Sequence, residues 1–96
     1  MTMKLKDLPK SINVYGQRTK IQVKELPGLV GKADFRRKTI FITPTAESEG
    51  ILRETLLHET IHIILNRLGI TPQLVSHEVD EIICETIAKC LAENDL

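Results

Sequence analysis

Two histidines and a glutamate in the second half of the chain have the spacing of a metal site. They lie in the segment His58-Glu59-Thr60-Ile61-His62, which has the form H-E-x-x-H. On a helix, residues four apart project from the same face, so both imidazoles could reach one Zn²⁺ at about 2.0–2.1 Å. Glu59 would lie at the edge of that face, where it can accept a proton from a water at the metal without being a ligand. The motif predicts a metal centre held by His58 and His62, with Glu59 as general base.

The same pattern also occurs by chance on exposed helical turns. Here, however, apolar residues surround it, and burying two imidazoles and a carboxylate is costly unless something satisfies them. Two of the three histidines of the chain also fall within the motif. Both features favour a metal site over coincidence. The apolar neighbours are Leu56, Leu57, Ile61, Ile63, Ile64 and Leu65.

A catalytic zinc site needs a third protein ligand and keeps its fourth position for water. The chain offers several donors some twenty residues after the motif, and spacing alone leaves the choice among them open. An acidic stretch at the start of a helix is usually just solvated. The candidates are His77, Glu78, Asp80, Glu81 and Glu85.

The segment from Leu56 to Leu65 resembles the active-site helix of the gluzincin metallopeptidases. It is similar in particular to minigluzincins, minimal proteins of about this length in phages and microbial genomes, related to HExxH peptidases of the ImmA/IrrE type. In that family a following glutamate helix supplies a ligand, and an acidic or amide residue four positions later supports a histidine ligand. The resemblance covers about residues 30–92 and implies Glu81 as the third zinc ligand, with Glu85 orienting a histidine. The alternatives for the third ligand stay Glu78, His77 and Asp80.

The resemblance implies a zinc metallopeptidase acting on a peptide or protein whose identity the sequence does not reveal. A metal-activated water would attack the peptide bond, with Glu59 as general base. Tyr15 or His77 could stabilise the transition state. The segment Thr39–Ile42 is either the edge strand along which an extended peptide pairs or an interior strand.

Larger relatives follow the metal site with a further subdomain, which this sequence lacks. The resemblance therefore leaves room for a latent protein, for dependence on a partner, or for self-association. The acidic tail, residues 93–96, could also supply a carboxylate to the metal. The alternative to an enzyme is a non-catalytic, zinc-stabilised binding or regulatory module of phage or microbial origin.

Length and composition indicate one domain over residues 1–96 in the cytoplasm. A chain of 96 residues allows no second domain, and metal ligation often supplements so small a core. We find neither a signal peptide nor an apolar stretch of membrane-spanning length. Cys84 and Cys90 lack C-x-x-C spacing and are expected to be small buried hydrophobes in a reducing compartment.

Charge is distributed unevenly although the net charge is zero. Residues 1–43 contain ten Lys or Arg and three acids, whereas residues 44–96 contain three and ten. We expect two oppositely charged elements to pack together in one domain. Nucleic-acid binding by the basic half is disfavoured, because aromatic residues make up only 3% of the chain and the whole is neutral.

Hydrophobic periodicity predicts an α+β fold, minimal and zincin-like. In residues 1–43, apolar and polar residues alternate as expected for three or four short strands, with Arg36-Arg37-Lys38 at a hairpin tip. Residues 44–69 have helical period and form the HExxH helix, and residues 74–93 form the glutamate helix. The buried face predicted for this second helix comprises Val79, Ile83, Thr86, Ile87, Cys90 and Leu91.

Overall fold

The computed structural model describes residues 2–96 and confirms the α+β class. A short 3₁₀ turn, Leu5–Asp7, precedes a sheet of four strands, and helices follow the sheet. None of the described helices is both long and apolar enough to cross a membrane. The strands are β1 (Ser11–Val14), β2 (Gln17–Val23), β3 (Gly31–Asp34) and β4 (Thr39–Ile42). The helices are α1 (Thr45–Ser48), α2 (Leu52–Arg67) and α3 (His77–Glu93).

The sheet is mixed, with strand order β1-β2-β4-β3. Strand β1 pairs antiparallel with β2, β2 pairs parallel with β4, and β3 pairs antiparallel with β4. All four residues of β4 are buried, as expected for an apolar strand covered on both faces. Thr39–Ile42 is therefore the interior strand of the two alternatives, and the edge strand at this end of the sheet is β3.

The turn between β3 and β4 is the predicted charged hairpin tip. The carboxylate of Asp34 accepts a hydrogen bond of 2.9 Å from the backbone N–H of Arg37. Lys38 has a φ of 51°, which turns the chain into β4. The basic side chains at the tip are exposed, so this stretch is solvated.

One face of the sheet packs on α2 to form the core. Strands β1, β2 and β4 each contribute aliphatic side chains, and side chains from around the 3₁₀ turn cover part of the cluster. A core built from so few residues leaves a narrow margin of stability. Its buried members are Val14, Ile21, Ile40, Ile42, Ala46, Leu52 and Ile63.

The segment 44–69 contains two helices instead of the single predicted helix. The chain leaves α1 at Gly50, whose φ of 71° is incompatible with a continuing helix. The backbone N–H of Ile51 then bonds to the carbonyl of Ala46 at 2.9 Å, and α2 begins at Leu52. The predicted end of the helix is confirmed, because Gly69 has a φ of 72° and Ile70 N–H bonds to Leu65 O, as in a Schellman motif.

Helix α3 begins at His77, later than the predicted residue 74, because Ser76 caps it. The hydroxyl of Ser76 accepts a hydrogen bond from Val79 N–H at 3.2 Å, which satisfies one of the free donors of the first turn. The predicted buried face was wrong in part. The residues that α3 buries are Asp80, Cys84 and Ala88, whereas Val79, Ile87 and Cys90 are exposed.

The physical reason for this difference is the size of the side chains that face α2. Cys84 and Ala88 are small and have no exposed surface, so the two helices can approach closely along this ridge. Asp80 lies one turn before Cys84 on the same ridge and is turned inward with it. Cys84 is thus buried as expected, whereas Val79, Ile82 and Ile87 of α3 are exposed.

Gly31 allows the edge strand β3 to lie directly against α2. A Cβ atom at this position would lie 2.7 Å from Thr55 Cγ2 and 3.1 Å from Glu59 Cγ. Real Cβ atoms are not found at the shorter of these distances. The glycine is therefore required by the close approach of a strand and a helix, and not by its backbone conformation.

Replacing Gly31 by Ala should lower the free energy of unfolding by about 1–3 kcal/mol through overpacking. Thr55→Ser removes the Cγ2 methyl but keeps the hydroxyl that bonds to Ile51 O at 2.7 Å. The Gly31→Ala penalty should accordingly be smaller in the Thr55→Ser background, as measured by urea unfolding of the four proteins in a double-mutant cycle. Equal penalties in both backgrounds would contradict this account of the contact.

Candidate metal centre

The structure brings His58, His62 and Glu81 together at the contact between α2 and α3. His58 Nε2 and His62 Nε2 lie 3.1 Å apart. The carboxylate of Glu81 approaches both, with Oε1 at 2.7 Å from His58 Nε2 and Oε2 at 3.2 Å from His62 Nε2. These three side chains could hold a metal ion, because one donor atom from each lies within 4.8 Å of the others.

The distances fit a tetrahedral metal site. Ligands bound at about 2.0–2.1 Å in tetrahedral geometry lie roughly 3.3–3.4 Å apart, close to the observed 3.1 and 3.2 Å. The 2.7 Å contact between His58 and Glu81 is that of a charge-assisted hydrogen bond and would have to open. Two imidazole nitrogens that face each other also need a proton between them, and a cation can take the place of that proton.

Asp80 orients the ring of His62 by contacting Nδ1, the ring nitrogen on the side away from the metal cluster. Its Oδ1 lies 2.5 Å from His62 Nδ1, so the Nδ1–H group donates to the carboxylate and Nε2 is left free to bind. A metal-binding histidine is usually oriented in this way by a carboxylate on its other nitrogen. Asp80 is thus a positioning residue, and its contact with His62 selects the tautomer that the site requires.

Asp80 is itself supported within the protein. The residue is 3% exposed, and the thiol of Cys84 donates to Oδ1 at 3.2 Å. Burial raises the pKa of Asp80, but Thr71, Cys84 and His62 together outweigh burial and hold it below its ordinary value. The Thr71 hydroxyl contributes although it forms no hydrogen bond of regular geometry. Burial and the neighbouring Asp80 raise the pKa of Cys84, so this cysteine is a neutral donor.

The sequence assigned the supporting role to Glu85, and the structure places that residue elsewhere. Glu85 is exposed and lines a recess beside the metal centre, whereas the carboxylate on His62 belongs to Asp80. The physical reason is the register of α3, which turns Asp80 toward α2. Among the alternatives for the third ligand, Glu78 and His77 lie outside both groups of described donors, whereas Asp80 forms a second group with His62 and Cys84.

Neither Tyr15 nor the acidic tail reaches this centre. Tyr15 is 71% exposed in the turn between β1 and β2, so it is not placed to stabilise a transition state. The backbone of residues 94–96 bonds to Leu91 and Ala92, at the opposite end of α3 and about 15 Å along it from Glu81. His77, in contrast, lines a recess next to the histidines.

Glu59 lies between the metal cluster and the edge strand. It is 7% exposed, and its carboxylate accepts a backbone hydrogen bond from Ala33 of β3. Its pKa is raised to about 7, mainly by burial. Glu81 also raises the pKa, while His58 and the Ala33 hydrogen bond lower it. A buried carboxyl group with a pKa near neutrality can both accept and release a proton.

Two recesses open on either side of Glu59 and share the metal cluster as a wall. The Lys32 recess, about 320 Å³, contains Lys32, Phe35, Asn66 and His77 among its lining residues. The Glu85 recess, about 300 Å³, has Glu54 and Glu85 among its lining residues and extends to Gly28, which precedes β3 in the chain. Together they form a cleft along β3, with the candidate metal centre in the middle.

Two features of this site were missed by the sequence analysis. Asp80 could have been found as the first member of the ridge that continues through Cys84 and Ala88, since these small residues mark a close helix contact. Nothing local marks Gly31 as the position where a strand meets the metal-site helix. That contact depends on the order of the strands.

Replacing Asp80 by Asn should weaken Zn²⁺ binding about 10- to 100-fold, because His62 loses the carboxylate that orients its ring. Glu85→Gln removes the same charge from the same helix and should change the affinity less than about threefold. Competition with a chromophoric chelator measures both, with His62→Ala as the reference that removes a ligand. A larger loss of zinc affinity for Glu85→Gln than for Asp80→Asn would support Glu85 as the residue that orients a histidine. Failure of the unmodified protein to take up zinc would exclude the site.

The metal-free protein should lose stability as the pH rises from about 4.5 to 7. Over this range the folded protein keeps a proton on Glu59, whose pKa is about 7, that the unfolded chain loses near its ordinary value of 4.5. The unfolded state then binds fewer protons, so the free energy of unfolding falls. Between pH 4.5 and 7, the free energy of unfolding should fall by about 2–3 kcal/mol more in the unmodified protein than in Glu59→Gln. Urea unfolding in the presence of a chelator measures this difference. Parallel pH curves for the two proteins would contradict this.

Comparisons with known proteins supply no assignment for the chain. No family model, curated protein or solved structure matches it. What the site can do is therefore derived from its own residues, above all from the convergence of His58, His62 and Glu81 beside Glu59.

Proposed function

We propose that the chain is a zinc-dependent hydrolase of the metallopeptidase class, as the gluzincin-like motif implies. The observation that carries the proposal is the convergence of His58, His62 and Glu81 on one point with a buried carboxylate, Glu59, next to it. Two imidazoles and a carboxylate favour zinc among the common divalent ions. Among the described residues no fourth side chain joins this cluster, which suits a site that keeps a position for water and substrate.

Zinc bound there would supply a Lewis acid and a water of lowered pKa. His58, His62 and Glu81 would hold the ion, and Asp80 fixes the tautomer of His62. Glu59 takes the proton of the attacking water and passes it to the leaving amine. The backbone N–H of Ala33 holds the Glu59 carboxylate in place for both steps.

Strand β3 provides the surface for an extended peptide. It pairs with β4 on one side only, so the outward backbone groups of its free edge, apart from the Ala33 N–H that bonds to Glu59, are available to a further strand. Gly31 and Ala33 of this edge line the cleft beside the metal cluster. A peptide paired there would cross the site with its backbone next to Glu59. His77 lines the same recess, and we propose it as a transition-state donor.

A non-catalytic zinc-stabilised binding module is the second candidate. The observation that favours it is the outer face of α3, where Ile82 is 65% exposed and Val79 and Ile87 are about two-fifths exposed. Exposed aliphatic residues along one helix suit a protein partner or a second copy of the chain. In that case the metal would staple a marginal core, and Glu59 would be dispensable for function.

Replacing Glu59 by Gln separates the two candidates. The change removes the proton acceptor but keeps the size of the side chain, so peptide hydrolysis should fall about 10²- to 10⁴-fold while zinc content stays at one ion per chain. Activity is measured by mass spectrometry of a mixed peptide library, and zinc by elemental analysis. Glu49→Gln, an exposed position at the end of α1, is the charge-matched control and should retain activity. Full activity in Glu59→Gln, or no hydrolysis by the zinc-loaded unmodified protein, would overturn the catalytic proposal.

A further inference from the structure

The Glu85 recess is an acidic cavity joined to the candidate metal centre. It lies between α2, which contributes Glu54, and α3, which contributes Glu85, and its volume is about 300 Å³. His58, Glu59 and Glu81 form the wall that it shares with the Lys32 recess. A group that enters the Glu85 recess is therefore adjacent to the metal cluster.

Charge in the Glu85 recess is not neutralised by the protein. No lysine or arginine is among its lining residues, and neither Glu54 nor Glu85 forms an ion pair with a described residue. Glu81 belongs to the metal cluster, so its charge would be taken up by the ion. Two carboxylates on facing helices are thus left to attract a cation from outside the chain.

The other side of the cleft has a different character. The Lys32 recess is lined by one lysine and by Phe35. Apart from the wall that it shares with the Glu85 recess, its one carboxylate is Asp80, which is paired with His62. The cleft is therefore more acidic near Gly28 than near Phe35, and an extended peptide that occupies both recesses meets different surroundings at its two ends.

The direction of the peptide follows from strand pairing. Antiparallel pairs are the commoner arrangement in sheets, and β3 runs from the Glu85 recess toward the Lys32 recess. A peptide antiparallel to β3 enters through the Lys32 recess and leaves through the Glu85 recess. Its residues on the carboxyl side of the metal centre then lie next to Glu54 and Glu85.

We propose that Glu54 and Glu85 select peptides with a lysine or arginine at the first or second residue after the bond placed at the metal centre. This inference rests on the proposed peptidase function for the meaning of that bond, but the binding preference does not depend on hydrolysis. The space of about 300 Å³ accommodates a long basic side chain. Its aliphatic stem can contact Ile51 and Val30, which also line the recess.

Binding to the zinc-loaded Glu59→Gln protein tests the preference without turnover. Two fluorescent peptides that differ only by Lys or Glu after the central bond are compared by anisotropy at about 50 mM salt. The Lys peptide should bind about three- to tenfold more tightly, and the ratio should shrink at about 500 mM salt because the recess is open to solvent. A ratio of one, a preference for Glu, or no binding of either peptide would overturn the proposal.

Charge-matched variants in the same background identify the residues responsible. Glu54→Gln combined with Glu85→Gln should bring the Lys-to-Glu ratio close to one. Glu49→Gln combined with Glu78→Gln removes the same net charge from positions outside both recesses and should leave the ratio unchanged. Equal loss of preference in the two double variants would assign the effect to overall charge and refute a role for the recess.

Hydrolysis by the protein with Glu59 intact distinguishes failure of this inference from failure of the proposed function. Cleavage of a mixed peptide library without enrichment of Lys or Arg after the cut bond would refute the inference and keep the peptidase. A Lys preference in binding with no cleavage of any peptide would keep the acidic recess and refute the peptidase. Enrichment that disappears in the Glu54→Gln, Glu85→Gln protein supports both.

Discussion

The contact between α2 and α3 is the constraint on which the candidate metal centre depends. His58 and His62 are placed by one helix alone, but Glu81 reaches them only if α3 lies at the right depth and register. The ridge of Asp80, Cys84 and Ala88 sets the depth through its small, fully packed members. The hydrogen bond that His62 Nδ1–H donates to Asp80 sets the register of α3 on α2. Glu81, the next residue along, is thereby brought within hydrogen-bond distance of His58.

Strand β3 imposes a second constraint from the opposite side. Gly31 lets the strand approach α2 at a distance that no other residue permits without displacement, and Ala33 then reaches Glu59 with its backbone N–H. Burying the Glu59 carboxylate has an electrostatic cost, visible in its pKa near 7. A divalent cation at the histidines would lower that cost, since an opposite charge nearby favours the ionised form. Metal binding would therefore be coupled to the folded arrangement of Glu59.

The sequence was sufficient for those parts of the site that depend on local periodicity. The H-E-x-x-H spacing placed His58 and His62 on one face of a helix, and the α+β class followed from the change of period near residue 44. The family resemblance, in turn, pointed to Glu81. The parts that failed depend on contacts between distant segments. Whether Asp80 or Glu85 supports a histidine depends on which ridge of α3 contacts α2. The interior position of Thr39–Ile42 depends on the order of the strands, which no local sequence pattern indicates. The break at Gly50 was hidden because its flanks both have helical character.

The charged side chains of the two halves of the chain are not held together by ion pairs between the halves in the described residues. The sequence predicts that two elements of opposite charge pack together in one domain. Among residues 2–96, however, the ion pair that involves an arginine or lysine is the local one between Arg37 and Asp34. At the cleft, Glu81 pairs with His58 and His62, whereas neither Glu54 nor Glu85 forms an ion pair with a described residue. Carboxylates gathered in one concave, partly desolvated region raise the local concentration of cations. In our proposal, the field that would draw a divalent ion toward the two imidazoles also favours a basic side chain beside it. Metal binding and substrate preference would then have one electrostatic origin.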